Sequence, residues 1–258
     1  MINKNYIKLI RSDHRFDENN FIYKIIAKRI IDSIDLLNVK IDQVMEIGIN
    51  ENVIYNHINN KFPNSKFTRS DLCLSKSLNN KLLNFKEIDL NNLNFKSNFY
   101  NLIYSNCFIH IINNFENCLD VILKSLKNNG FFITAIPDKD SMFQLLNSMY
   151  ETDLFLYNGA YQRVNPTIEI NNILPILKKL QFDAPSIYTD TISIDYNKFE
   201  NLIKDVKKMN LTFNQNDKRQ NFENKNYFNI LEKFYRKKYF KESYPLEIKI
   251  NFISAWKK

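Results

Sequence analysis

Glycine is almost missing from this chain: there are three in 258 residues, at positions 48, 130 and 159. A phosphate-cradling loop of the Gly-x4-Gly-Lys type does not occur. The three cysteines, Cys73, Cys107 and Cys118, are odd in number and lack Cys-x-x-Cys spacing. That argues against a disulfide scaffold or a zinc ribbon and fits a reducing compartment. No apolar run reaches membrane-spanning length. The start, Met1-Ile-Asn-Lys-Asn-Tyr6, shows neither a signal-peptide core nor an Arg/Ser-rich transit pattern, so a cytoplasmic protein without a membrane span is expected. A Ser/His/Asp hydrolase pattern and an internal repeat are also missing. The histidines have no neighbours at metal-ligand spacing, so no metal is expected.

What is present is ordinary for a globular chain. Hydrophobic residues make up 44% and charged residues 25%, enough to bury a sizeable core. Asn, Ile, Lys, Phe and Tyr are abundant, and all have AT-rich codons, so excess lysine is weak evidence for nucleic acid. The net charge of +8 is concentrated: residues 198–258 hold 15 Lys/Arg against 7 Asp/Glu, and the rest is neutral overall. Such a region can steer an acidic partner, or be a solvated lysine face.

Hydrophobic spacing gives the elements. Residues 1–16 read as irregular. Phe21, Ile22, Ile25, Ile26, Ile30, Ile34 and Leu37 share one helical face. Short strands follow at about 42–48, 67–71, 85–88 and 100–105, with a helix over 52–61 between the first two. A helix from Phe115 to Leu126 is closed by Asn128-Asn129-Gly130, and a buried strand runs from Phe131 to Ile136. Ser141–Thr152 reads as helix, Leu154–Thr167 as loop, and Glu169–Leu180 as a helix that Pro175 should break or kink. Ile187–Tyr196 reads as strand, residues 199–206 and 222–240 as helices, and Leu246–Trp256 as a half-buried closing strand. Strands alternating with helices imply a mostly parallel α/β sheet, with ligands at the carboxyl ends of the strands. Those ends carry Gly48, Asp71, Asp89 and Ser105. Three parts are expected: an N-terminal helical segment to residue 40, an α/β core over 41–137, and a C-terminal part over 138–258 with a helical insertion.

The turn after the first strand reads Glu46-Ile-Gly48-Ile-Asn50-Glu-Asn52. Nucleotide-type turns carry several glycines so that the backbone can approach a cofactor. Here Gly48 stands with Asn50, a residue that tolerates positive φ. Other stretches extend the pattern: Phe16-Asp17, Arg29, Tyr100-Asn-Leu-Ile-Tyr-Ser-Asn-Cys-Phe-Ile-His110, Leu126-Lys-Asn-Asn-Gly-Phe-Phe-Ile133, Gly159-Ala-Tyr-Gln-Arg-Val-Asn-Pro166, Phe182, Tyr196–Met209 and Phe252–Lys257. With these the chain resembles class I S-adenosylmethionine (SAM) methyltransferases over nearly its whole length. The resemblance is to the branch that holds malonyl-carrier-protein O-methyltransferase of biotin synthesis and mitochondrial complex I assembly factor 5. The cofactor turn departs from that family's pattern, Asn101 stands where an Asp is usual, and Ile111 stands where a Trp is.

The resemblance implies a Rossmann-like fold with a largely parallel seven-stranded sheet, an antiparallel final strand and a helical C-terminal insertion. It implies SAM as cofactor. Gly48 and Asn50 would approach the methionine part, Glu46 its ammonium, Asp71 and Leu72 the ribose, Asp89 and Leu90 the adenine, and Ser105 the methionine pocket. His110 would face the reaction centre. Arg163 would hold a substrate carboxylate bidentately, with Tyr157, Tyr161 and Arg219 on the same wall and Tyr23 over the cofactor. The substrate would be protein-borne: the malonyl carboxylate of an acidic carrier protein, or an arginine hydroxylated on a complex I iron–sulfur subunit. A chain that has lost SAM would be a non-catalytic assembly protein. Methylation of nucleic acid is disfavoured, because the Asn/Asp-Pro-Pro-Tyr signature is missing after strand four. A monomer is expected.

Overall fold

The computed structural model describes residues 4–12, 20–73, 84–89, 92–165, 167–209, 223 and 225–258. Leu90, Pro166, Arg219 and the Phe16-Asp17 pair therefore lie outside the described residues.

The chain begins with a helix, α1 (Lys4–Ser12), where an irregular segment was expected. Ile7 and Arg11 lie one turn apart on its buried side. That spacing is a helical signal too short to outweigh the polar residues around it. Helix α2 (Phe21–Asp35) matches its apolar stripe, and the Asn20 side chain caps it by accepting from the Ile22 N–H at 2.9 Å. Then come β1 (Gln43–Ile47), α3 (Val53–Lys61), β2 (Lys66–Asp71), β3 (Phe85–Glu87) and β4 (Tyr100–Asn106). A 3₁₀ turn (Ile109–Ile111) leads into α4 (Phe115–Ser125), β5 (Leu126–Pro137), α5 (Phe143–Tyr157) and α6 (Ile170–Lys179). The chain ends with β6 (Asp183–Tyr196), α7 (Phe199–Lys208), α8 (Lys225–Tyr239) and β7 (Tyr244–Trp256).

The seven strands form one sheet in the order β3-β2-β1-β4-β5-β7-β6. β1 to β5 pair in parallel, and β7 runs antiparallel to both β5 and β6. One apolar cluster packs α2, α3, α5, α7 and α8 on one face. A second packs α4, α6 and the 3₁₀ turn on the other. This is the expected α/β class, with the antiparallel strand in place.

Four local expectations are corrected. Asn128-Asn129-Gly130 does not cap a helix: α4 ends at Ser125, and these residues bulge within β5, where the register against β4 shifts. Asn129 takes φ 60° there, and its N–H donates to the Lys257 carbonyl at 2.8 Å. α5 continues to Tyr157 through what read as loop. α6 is not broken at Pro175; the carbonyl that loses its partner belongs to Asn171, which is exposed as Pro175 is, so water can satisfy it. β7 is interior rather than peripheral. It alternates in burial up to Lys249 and is continuously buried over Ile250–Ile253, because sheet neighbours and both cores enclose it.

Burial at this interior strand should dominate stability. Replacing Leu246, fully buried in β7, by alanine should cost about 2–5 kcal/mol. Replacing Leu36, 86% exposed, should change stability by no more than about 0.5 kcal/mol. Urea denaturation midpoints at constant slope check both.

Candidate functional site

β1 is the switch point of the sheet: β2 pairs on one side of it and β4 on the other. The crevice outside the carboxyl ends of these strands is where α/β sheets bind ligands. Gly48 turns the chain there with φ 83°. A Cβ at this position would lie 2.1 Å from the Phe108 ring, so glycine is required both by conformation and by close packing. The turn is tied to β2: the Gly48 N–H donates to the Ser70 carbonyl at 2.7 Å, and the Ile49 N–H to Asp71 Oδ2 at 2.8 Å.

The sequence-derived candidates divide into two sets. Gly48, Asn50, Asp71 and Leu72 converge at one corner. Asn50 is buried; its Nδ2 donates to the Asn106 and Cys107 carbonyls at 2.6 and 3.1 Å, which bonds the turn to the end of β4. Asn50 is not among the residues of positive φ, so it holds the turn by its amide and not by left-handed backbone. The Leu72 N–H donates to Asp71 Oδ1 at 2.6 Å.

The others are placed otherwise. Glu46 faces β2, where it pairs in register with Arg69 and accepts from its Nε; both side chains are almost fully buried. Burial pushes the Glu46 carboxyl up to about 7 despite that guanidinium. Ser105 Oγ donates to the Ile47 carbonyl at 2.8 Å and ties β4 to β1. Asp89 is exposed beyond β3. Asn101 sits at the amino end of β4, where its Oδ1 accepts from the Asp42 and Gln43 N–H groups at 3.2 and 3.0 Å, so this departure from the family pattern does not touch the crevice. Tyr23 is a packing residue whose hydroxyl donates to the Met209 carbonyl at 2.8 Å.

Two arginines at this end of the sheet were not singled out from sequence. Arg69 and Asp71 are two apart in a strand and so share a face of β2. Arg11 comes from α1. Its Nε donates to Asp71 Oδ1 at 2.6 Å, its Nη2 to Asp71 Oδ2 and, at 3.0 Å, to Asn50 Oδ1, and its guanidinium lies 4.8 Å from the Phe108 ring centre. An arginine at the apolar spacing of Ile7 is the one signal that could have found it.

Beside this corner lies a cavity of about 270 Å³ lined by His110, Pro137, Asp138, Lys139, Ser141, Met142, Leu146, Gln162, Val164, Asn165, Thr167 and Glu169. His110 Nδ1 and Ser141 Oγ are buried and lack a hydrogen-bond partner among the described residues. The cavity wall is mostly apolar, and these two atoms sit within it rather than on its surface. Burial, helped by the nearby Arg11 charge, lowers His110 to about 4, so its imidazole is neutral at pH 7. Lys139 pairs with Glu169 at 3.3 Å, and Asp138 accepts from Asn251 Nδ2 at 2.8 Å. The carboxylates outnumber the lysine.

Arg163 does not face this cavity; its neighbours Gln162 and Val164 do. Its guanidinium is bidentate on Asp153, whose side chain is fully buried, pairs with Glu223 at 2.7 Å, and lies 4.7 Å from the Tyr227 ring centre. The expectation that it holds a substrate carboxylate is corrected: Asp153 and Glu223 already hold it. Tyr157 belongs to the same cluster through its hydroxyl on Glu223 at 2.6 Å, and Tyr161 donates its N–H to Asp153 at 3.1 Å.

Comparisons with known proteins agree with this geometry. Residues 46–134 match the model of the methyltransferase domain family. A Dictyostelium discoideum protein named "Arginine-hydroxylase NDUFAF5, mitochondrial" is 28% identical over 60% of this chain and 36% of its own length. The human protein of that name is 22% identical over 74% of this chain and 56% of its own. "Malonyl-[acyl-carrier protein] O-methyltransferase 2" of Ilyobacter polytropus is 26% identical over 59% of this chain and 60% of its own. The chain thus spans roughly a third to three-fifths of the length of these relatives. Among solved structures, the YcgJ protein of Bacillus subtilis superposes with TM-score 0.56 at 11% identity, over 90% of this chain and 97% of that one. A Haemonchus contortus phosphoethanolamine N-methyltransferase superposes with TM-score 0.52 at 14% identity, over 90% and 52%. These last two show the fold alone.

Two outcomes follow from the geometry. Arg163→Ala strands the buried Asp153 carboxylate and should cost about 3 kcal/mol in denaturant unfolding; a residue serving only a substrate would leave stability unchanged. His110 has a folded pKa below its ordinary 6.5, so its contribution is present above pH 6.5 and lost as pH falls through about 4. Stability of the wild type should therefore drop by up to about 3 kcal/mol across that window on this account. Glu46, raised toward 7, acts in the opposite sense between pH 4.5 and 7, so the check is the pH slope of wild type against His110→Gln. The variant should lose the His110 part of the slope.

Proposed function

This chain belongs to the class I SAM-dependent methyltransferase family, and on that premise we propose that it binds SAM and modifies a cationic or hydrogen-bond-donating side chain carried by another protein. The observation that carries the reading is the pairing of two features at one end of the sheet: the Asp71 carboxylate beside the Gly48 turn, and a largely apolar cavity next to it whose wall includes His110, Asp138 and Glu169.

The residue types suit the cofactor. Asp71 is a carboxylate at the end of β2, able to accept from two vicinal ribose hydroxyls. Gly48 makes the turn beside it, with the Phe108 ring packed on one side, and Asn50 and Leu72 flank it. When bound, SAM supplies an activated methyl on a sulfonium. In the described conformation the Asp71 acceptors are taken by Arg11, so this fit requires the Arg11 side chain to give way.

The cavity residues bear on the acceptor. His110, neutral, offers a ring nitrogen and no charge. Asp138 and Glu169 supply negative charge against the single Lys139. Such a lining favours an arginine- or amine-like group over a free carboxylate, and Arg163 is not disposed to hold a carboxylate there. The walls would position the side chain and exclude water, which is most of what methyl transfer asks of a protein. This supports the arginine-directed reading, the chemistry in the name of the Dictyostelium and human relatives, above the malonyl one. The basic C-terminal region, residues 198–258, would attract an acidic partner surface.

A second reading has an observation of its own: with Arg11 on Asp71 and Phe108 against Gly48, the crevice corner is closed by the protein's own side chains, as in a non-catalytic assembly protein that no longer uses SAM.

Calorimetric titration with S-adenosylhomocysteine separates the two. Binding in the micromolar range, lost in Asp71→Asn with the fold intact by circular dichroism, is the expected result; no binding at millimolar ligand rejects the cofactor reading. Incubation with SAM and an arginine-rich peptide, in air with a two-electron reductant supplied, followed by mass spectrometry, then reports a gain of a methyl group or an oxygen atom. Modification of a malonyl thioester instead would reverse the preference for a cationic acceptor.

A further inference from the structure

Arg11 is held in the way a ligand is held. Its side chain is 4% exposed, and it engages both Asp71 oxygens, Asn50 Oδ1 at 3.0 Å and the Ile49 carbonyl at 3.4 Å, over the Phe108 ring. Every one of these groups belongs to the crevice at the switch point of the sheet. None belongs to α1 itself.

Ile7 is buried in one core cluster. Lys8 makes an exposed pair with Glu87, of a kind worth little in water. Cys73 Sγ donates to the Lys8 carbonyl at 3.6 Å, a weak bond. A helix of nine residues has little stability of its own. Arg11 thus ties α1 to the carboxylate that a ribose would need.

We propose that α1 is a displaceable cover of the cofactor site, in which the Arg11 guanidinium competes with the cofactor's ribose hydroxyls for Asp71. The inference rests on the reading that the site takes SAM, and concerns how that site is controlled. Asp71 accepts from Arg11, Ile49 and Leu72 at once, so both oxygens are occupied while α1 is docked. Two ligands for one carboxylate exclude each other, and affinity for the second falls by the fraction of molecules in which the first is docked. Anything that draws α1 away would raise cofactor affinity without touching the site.

Two measurements with S-adenosylhomocysteine test this. In calorimetry, Arg11→Gln should bind at least tenfold more tightly than wild type. In hydrogen–deuterium exchange on the unaltered wild-type protein, amides of residues 4–12 should exchange faster when the ligand is present. Equal or weaker binding by a folded Arg11→Gln, or slower or unchanged exchange in residues 4–12 on ligand binding, would overturn the cover and make Arg11 part of the cofactor site or of the core. The exchange arm needs no variant, so it decides even if Arg11→Gln fails to fold. Absence of binding by both proteins rejects the cofactor reading itself, and the cover with it.

Discussion

Parallel pairing of β1 with β2 on one side and β4 on the other is the constraint on which the rest depends. The chain leaves β1 in one direction to build β2 and β3, and returns across it to build β4 and β5. Loops at the carboxyl ends must therefore part over β1, and a crevice opens there. Gly48 sits at that parting, with Asp71 from β2 and Asn106 from β4 on either side of the turn. The close pack of Phe108 against Gly48 and the bond from Asn50 to the end of β4 follow from the same geometry.

Burial of charge at these strand ends shapes everything around them. A carboxylate taken out of water needs a partner with good geometry. Glu46 has Arg69, its register partner on β2, and Asp71 has Arg11. The same rule governs the far side of the cavity, where Asp153 holds Arg163 in a cluster with Glu223 and aromatic rings. Arg11, Arg69 and Arg163 each meet a buried carboxylate, and the first two of these pairs lie at the crevice. What differs is the tether: Arg69 is fixed in the sheet, whereas Arg11 rides on a short helix. An identical ion pair can thus be scaffolding in one place and a removable cover in another.

Much of this could be read from residue order. Apolar periodicity located α2, α4 and α7 and most strands, because a helical face or an alternating strand leaves a repeat long enough to count. The turn at Gly48 and the acid at Asp71 were legible for the same reason: each follows an apolar strand and precedes a break. Asn128-Asn129-Gly130 misled because a bulge and a helix cap demand the same residues, those that accept positive φ. The role of Arg163 misled because a bidentate fork suits an internal carboxylate as well as a substrate's, and Asp153 lies ten residues away around a turn that the spacing does not reveal.

The sequence by itself determined the fold class, the mostly parallel sheet and the identity of the residues at its carboxyl ends, since these rest on local patterns of burial and turning. Only the tertiary structure decided which charges meet. That Arg11 reaches Asp71 across 60 residues, that Glu46 is held by Arg69, and that burial beside Arg11 leaves His110 neutral are all consequences of distance in space. Electrostatic pairing in a low-dielectric interior depends on separations of a few ångströms, and chain order does not encode those.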